Sequence, residues 1–130
     1  MKHATLDIEQ EYYEKSIKYM IYGDILRNGT YPISVSSERI FQAIAIIEYA
    51  KQIGADAVAH GSTGAGNDQV RFELAIKRFA PEMKIIAPWR EWDIKSRDEE
   101  IDFAEAHHVP LKISRETNYS KDKNLWHLSH

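Results

Sequence analysis

Apolar side chains recur at spacings of three and four from Leu6 to Leu26, through Ile8, Tyr12, Tyr13, Ile17, Met20, Ile21 and Ile25. That is the period of an amphipathic helix, and Asn28-Gly29 is its expected stop. Thr30 to Ile33 reads as an extended connection, because Pro32 biases Tyr31 away from helix. Ser36 and Ser37 are candidate caps for a second helix whose buried side is Ile40, Phe41, Ile44, Ile47 and Ile53, and Gly54 suits its C′ position. Ala55 to Ala59 is short and mostly apolar, as a buried strand is. Asp68 to Phe79 returns to the helical period through Val70, Phe72, Leu74 and Ala75, until Pro81 forbids continuation. Lys84 to Pro88 predicts a second strand. Ser96-Arg97-Asp98-Glu99 is a capping box, opening a helix with Ile101, Phe103, Ala104 and Ala106 that ends before Pro110. Val109 to Ile113 predicts a third strand.

Helix, strand, helix, strand, helix, strand is the alternation of an α/β layer, and crossovers of this length favour parallel pairing. After Ile113 the character changes. Ser114 to His130 is polar, with Tyr119, Leu125, Trp126 and Leu128 as its bulky anchors, and reads as the start of another unit. Composition narrows the class. At 130 residues the chain is at most one ordinary domain, and its 43% apolar content suffices for a modest core. A formal net charge of -3 argues against a broad nucleic-acid footprint. The absence of cysteine excludes disulfides and thiolate-ligated metals. No apolar run reaches the roughly 18 residues of a membrane span, and Met1 to Thr5 is not followed by a signal-peptide core. The expectation is a soluble, cytoplasmic chain without a membrane or nucleic-acid partner.

Candidate chemistry concentrates between Ala59 and Glu73. Gly61, Gly64 and Gly66 leave the backbone nearly bare, and Thr63, Asn67, Asp68 and Arg71 follow at a helix entrance. A strand, a bare loop and a helix N-terminus together can hold anions and polar small molecules. The loop is not a phosphate-binding Walker loop, since Asn67-Asp68 stand where Lys and Ser/Thr are needed, and its glycine spacing is not that of a dinucleotide fold. A hydroxyl, an amide, a carboxylate and a guanidinium suit a zwitterion, with Arg71 and the amide on its carboxylate and Asp68 on its amine. The plainer alternatives are N-capping by Asn67 and Asp68 and a surface ion pair of Arg71 with Asp68 or Glu73.

The tract His60 to Glu73 closely resembles the signature of the argininosuccinate synthases, Gly-x-Thr-Gly-x-Gly-Asn-Asp-Gln-Val-Arg-Phe-Glu. Ala87-Pro88-Trp89-Arg90 resembles that family's Ile-Ala-Pro-Trp-Arg segment. Tyr119-Ser120-x-Asp122-x-Asn124-Leu125-Trp126-His127-x-Ser129 is similar to a later one, and Tyr31 and Ser36 sit where the family has a Tyr and a Ser. The resemblance implies an incomplete adenine nucleotide α-hydrolase-like layer (ATP-pyrophosphatase, Rossmann-like) with a parallel sheet, followed by the start of an α+β synthetase domain. Residues 1–113 would be the later part of the nucleotide-binding domain, and 114–130 the beginning of the second. The implied reaction belongs to arginine biosynthesis and the urea cycle. ATP adenylates the ureido oxygen of citrulline, and the aspartate amine then displaces AMP. By position, Thr63, Asn67 and Asp68 resemble aspartate contacts. Tyr31, Ser36, Asn67, Arg71, Ser120 and Ser129 resemble citrulline contacts. Ala59, His60, Gly61, Gly64 and Gly66 resemble the wall facing ATP. Mg2+ would accompany the ATP, with no metal held by the protein, and the full-length family implies a homotetramer.

Two departures from the family pattern matter. Ala65 stands where many members have Lys, although one branch carries Ala. The family's Ser-Gly-Gly-x-Asp-Thr/Ser pyrophosphate loop has no counterpart in the 130 residues. The chain is therefore expected to be an internal fragment, inactive alone. The rival expectations are a non-catalytic nucleotide- or amino-acid-binding module of the same fold and a different ATP-pyrophosphatase ligase; Asn67 to Phe72 and Ser120 to Ser129 argue against the latter. His107-His108 reads as a helix end, His127 and His130 as parts of a polar segment, and Trp89 and Trp92 as packing residues.

Overall fold

A computed structural model describes residues 2–64, 66–94, 96–110 and 122–129. The first helical run consists of α1 (Glu9–Tyr12), a π-helical segment (Tyr13–Ile17) and α2 (Lys18–Tyr22). Tyr12, Ile17 and Met20 are its buried side chains, packed against Phe41 and Trp126. Tyr12 and Ile17 are five apart and would diverge on an α-helix. The wider π turn brings them back onto one face. The run stops at Gly23 rather than at Asn28-Gly29. Asp24 takes a left-handed φ of 46°, and Ile25 N–H bonds to Met20 O at 2.9 Å, a Schellman closure.

Asn28-Gly29 has a different task. With φ of 54° and 68°, the pair forms the turn between β1 (Leu26–Arg27) and β2 (Tyr31–Pro32), which are antiparallel with Arg27 opposite Tyr31. Two successive positive φ values match the strand twist, the reason Asn-Gly is a hairpin signal. The expectation of a helix through Leu26 is thus corrected to a helix and a hairpin.

Helix α3 spans Ser34–Gln52 and begins before its expected caps; Ile33 precedes it and no side chain caps it. Ser36 and Ser37 lie inside the first turn, where Ser37 Oγ donates to Ser34 O at 3.0 Å. Its far end is as expected. Gly54, at φ 70°, closes a Schellman motif with Gly54 N–H on Lys51 O and Ala55 N–H on Ala50 O. Strand β3 (Ala57–Ala59) pairs in parallel with β4 (Lys84–Ile86), and α4 (Asn67–Phe79) connects them. Ile47 and Ala50 of α3, Val58 of β3, Ile76 of α4, Ala80 and Met83 make the core between the helices and one sheet face. A 3-10 turn, Pro88–Arg90, follows β4. Helix α5 (Arg97–Ala106) opens with the predicted capping box, both Ser96 and Glu99 bonds being present. It closes through His108 at φ 56°, so the adjacent histidines are a helix end. Val109 and Pro110 are not in a strand, and the rest of that expected strand lies outside the described residues, as does the 113/114 boundary.

Strands β5 (Asp122–Lys123) and β6 (Leu128–Ser129) form an antiparallel hairpin seated on α3. Ser34 Oγ donates to Asn124 Oδ1 at 3.0 Å and meets His127 Nδ1 at 3.1 Å, while Leu125 N–H reaches Glu38 Oε2 at 3.3 Å.

Candidate functional site

Beyond the C-terminal end of β3 the chain leaves the sheet, and α4 starts at Asn67 behind Gly66. No side chain caps this helix; Asn67 and Asp68 lie within its first turn. The first N–H groups of a helix lack intrahelical partners and favour anions. A cavity of about 570 Å³ opens there. Tyr31 and Ser36 line it from β2 and α3, and Thr63, Asn67, Asp68 and Arg71 from the glycine loop and α4. Gly61 and Gly66 lie between them. A parallel sheet places ligands at this end of its strands.

Asp68 is the electrostatic centre. Arg39 Nε donates to its Oδ2 at 3.0 Å and Arg71 Nη1 to its Oδ1 at 2.8 Å. Burial pushes this carboxyl up, but the hydrogen bonds and charges of Arg39 and Arg71 outweigh burial and hold it below its ordinary value. Arg71 also donates to Ser36 Oγ at 3.0 Å, tying α4 to α3 across the cavity. The ion pair foreseen for Arg71 therefore exists, with Asp68, and it is part of the cavity wall. Thr63 and Asn67 make no side-chain hydrogen bond among the described residues, which leaves a hydroxyl and an amide open to a ligand.

The other face of the glycine loop is packed. A Cβ on Gly64 would fall 3.1 Å from Trp89 Cδ1, tight enough that the indole of the 3-10 turn would have to shift by a few tenths of an ångström. Gly61 has nothing within 4 Å of such a Cβ, and its bareness serves no internal contact among the described residues. Next to Trp89, Arg90 forms an ion pair with Glu73 of α4. With the Gln69 amide oxygen turned toward it, Arg90 also donates to that oxygen through Nε at 2.7 Å and Nη2 at 2.9 Å. His60 stacks on Phe72, with ring centroids 6.1 Å apart, and its Nε2 lies 3.5 Å from Glu73. Burial, and secondarily the Arg90 charge, push His60 below its usual value, so its ring favours the neutral form.

Of the predicted site residues, Tyr31, Ser36, Gly61, Thr63, Gly66, Asn67, Asp68 and Arg71 meet at one cavity. Ala59, His60 and Gly64 do not line it; His60 and Gly64 face Phe72 and Trp89 behind the loop. Ser120 and the Ser129 side chain lie outside the described residues. The hairpin carrying Ser129 still reaches the site, because His127 packs edge-on against Tyr31 at 5.1 Å.

A family profile described as "Arginosuccinate synthase N-terminal HUP domain" matches residues 1–110. The chain belongs to the argininosuccinate synthase family. Argininosuccinate synthases of Clostridium botulinum (strain Eklund 17B) and Clostridium perfringens (strain ATCC 13124) are each 56% identical to it over 124 residues. That is 95% of this chain but 30% and 31% of theirs. The argininosuccinate synthase of Pelotomaculum thermopropionicum is 50% identical over the same length, 31% of its own. The chain thus spans under a third of these curated relatives. The parallel α/β layer foreseen from the sequence is the HUP domain of this family, a nucleotide α-hydrolase-like fold, with a small, incomplete sheet.

Sequence reasoning missed Arg39 and Arg27, and it did not assign Arg90 a partner. Arg39 is on α3, 29 residues from Asp68, and nothing local marks it. Gln69 and Glu73 are four apart on α4, so a shared cation was a legible possibility.

Proposed function

We propose that this chain supplies the amino-acid side of an argininosuccinate synthase active site, which joins citrulline to aspartate at the expense of ATP. The supporting observation is the meeting of Tyr31, Ser36, Thr63, Asn67, Asp68 and Arg71, spread over forty residues of sequence, around one polar cavity. In this reading Thr63 and Asn67 take the carboxylates of aspartate, and Asp68 its ammonium. Each Asp68 oxygen already accepts from one arginine, yet a carboxylate has about four acceptor sites, so room remains. Tyr31, Ser36, Asn67 and Arg71 contact citrulline, joined by Ser120 and Ser129. Ala59, His60, Gly61, Gly64 and Gly66 form the stretch beside ATP, with Mg2+ arriving as part of that substrate.

The chemistry then needs two displacements. The ureido oxygen of citrulline attacks the α-phosphorus of ATP and pyrophosphate leaves. The aspartate nitrogen next bonds to the ureido carbon, the C–O bond to AMP breaks, and the amine releases its protons. The residues here orient the two amino acids, which is where much of the rate of such ligations comes from. Asp68 orients the ammonium, which gives up a proton to solvent before the nitrogen attacks; its remaining surplus proton follows to solvent as AMP leaves.

The 130 residues contain no Ser-Gly-Gly-x-Asp loop for the triphosphate. The isolated chain is accordingly proposed to bind amino acids without turning over, as the later part of the nucleotide-binding domain (1–113) and the beginning of the synthetase domain (114–130) of a cytoplasmic homotetramer's subunit. No helix among the described residues is long and apolar enough to cross a membrane. Calorimetric titration with L-aspartate, L-citrulline and MgATP, followed by an assay of pyrophosphate release, tests this. Uptake of either amino acid without pyrophosphate is expected. Catalytic pyrophosphate release would overturn the inactivity, and a chain inert to both amino acids would overturn the site.

A further inference from the structure

We infer that Arg27 is an additional substrate-binding residue of this cavity, reserved for the α-carboxylate of the citrulline-type substrate. This rests on the reading of the cavity given under the proposed function, which did not include Arg27. Three observations carry it. Arg27 lines the cavity from β1. It is the cross-strand partner of Tyr31, and opposed residues of an antiparallel pair project to the same sheet face. And it is the guanidinium left over. Arg39 is held by Glu38 and Asp68, and Arg71 by Asp68, whereas Arg27 makes no ion pair or side-chain hydrogen bond among the described residues.

The charge balance follows. Among the described residues Arg27, Arg39 and Arg71 face only Glu38 and Asp68 in this cluster, which leaves one positive charge uncompensated there, on the hairpin side. A free carboxylate there completes the pairing. A planar guanidinium binds a carboxylate through two parallel N–H donors, stronger and more directional than a lone hydroxyl contact. The Asn28-Gly29 turn fixes the backbone on which Arg27 stands, so the hairpin presents Arg27 and Tyr31 together. Thr63 and Asn67 lie on the glycine-loop side, which divides the cavity: one carboxylate at Arg27, the other amino acid at the loop. Arg27 thereby selects a substrate with a free α-carboxylate on the Tyr31 side.

The test compares the wild-type chain with Arg27→Gln and Arg27→Lys by calorimetry, using L-citrulline, L-citrullinamide and L-aspartate as probes. Arg27 is exposed on a two-residue strand, and matching far-UV spectra and melting curves verify folding. Arg27→Gln is expected to weaken L-citrulline about tenfold, the worth of one charge-assisted contact, with Arg27→Lys between. L-Aspartate affinity, and the already weaker affinity for L-citrullinamide, are expected to stay the same. Unchanged L-citrulline affinity in Arg27→Gln, in a chain where Ser36→Ala does weaken it, overturns the inference and leaves the site reading standing. Equal losses for L-citrulline and L-aspartate also overturn it, since Arg27 would then act as a diffuse charge. If the wild-type chain takes up none of the three probes, the site reading falls and Arg27's role with it.

Discussion

Asp68 sits between two guanidinium groups, and that arrangement sets how the site meets acid. Its folded value lies below the ordinary 3.8. The stability gained from its pairing is therefore complete above about pH 4 and is lost as pH falls through the lower folded value. Asp68→Asn should flatten this part of the profile, and melting temperatures between pH 2 and 5 will show it. The same variant should weaken L-aspartate binding if the carboxylate holds the ammonium. Arg90 poses a different question. Glu73 is mostly buried, and removing its partner would leave a charge in a poorly solvated place. Arg90→Met should cost about 1–2 kcal/mol in urea unfolding, less than a fully buried pair because the Arg90 side chain is 45% exposed. Glu73→Gln added to it should recover part of that loss. Burial first, and the Arg90 charge second, hold His60 below its usual value even with the carboxylate of Glu73 3.5 Å away.

The elements differ in how openly the sequence announces them. Helix α5 is written in its own first turn: Ser96 accepts from Glu99 N–H at 3.2 Å, and Glu99 reaches back to Ser96 N–H at 3.2 Å. Ser96→Ala should cost about 1 kcal/mol, measurable by chemical denaturation. The end of α3 is equally legible, because Gly54 adopts the left-handed φ that glycine takes without strain. The end of α2 is not: Asp24 takes the same conformation with a side chain that gives no comparable signal, whereas Pro110 and the paired histidines announce the end of α5, where His108 adopts it. The N-terminal run misled for a related reason: apolar spacing continued through Ile25 and Leu26, while the backbone had already turned into the hairpin. Its π segment is invisible to a period of 3.6, which has no place for a five-residue step between buried positions. The start of α3 was misread because Ser34 and Ser37 spend their hydroxyls on the C-terminal hairpin, on Tyr12 and on a backbone carbonyl instead of on capping.

At the scale of the molecule, the sheet is only half clothed among the described residues. Val58 and Ile85 turn toward α3 and α4, whereas Ala59 and Ile86, paired neighbours in the register, are exposed. Parallel sheets are normally covered on both faces, and unpaired edges invite other strands. The chain should self-associate through this face. Sedimentation should show a weight-average mass that rises with concentration, and Ile86→Lys should reduce it. A concentration-independent monomer would count against the idea.

The sequence by itself determined the α/β order, the capping box, the Gly54 stop and the glycine tract with its polar followers. Each is a contiguous pattern governed by local sterics and hydrogen bonding. It also carried the family, because long runs of identical residues survive without reference to shape. Only the tertiary structure decided that Asp68 would meet Arg39, that Arg90 would brace Gln69 and Glu73, and that Ser34 would meet Asn124 and His127 some ninety residues away. Those partners depend on how α3 lies against α4 and on where the hairpins land. Such distances arise from packing whole faces together, and no residue's neighbours in sequence encode them.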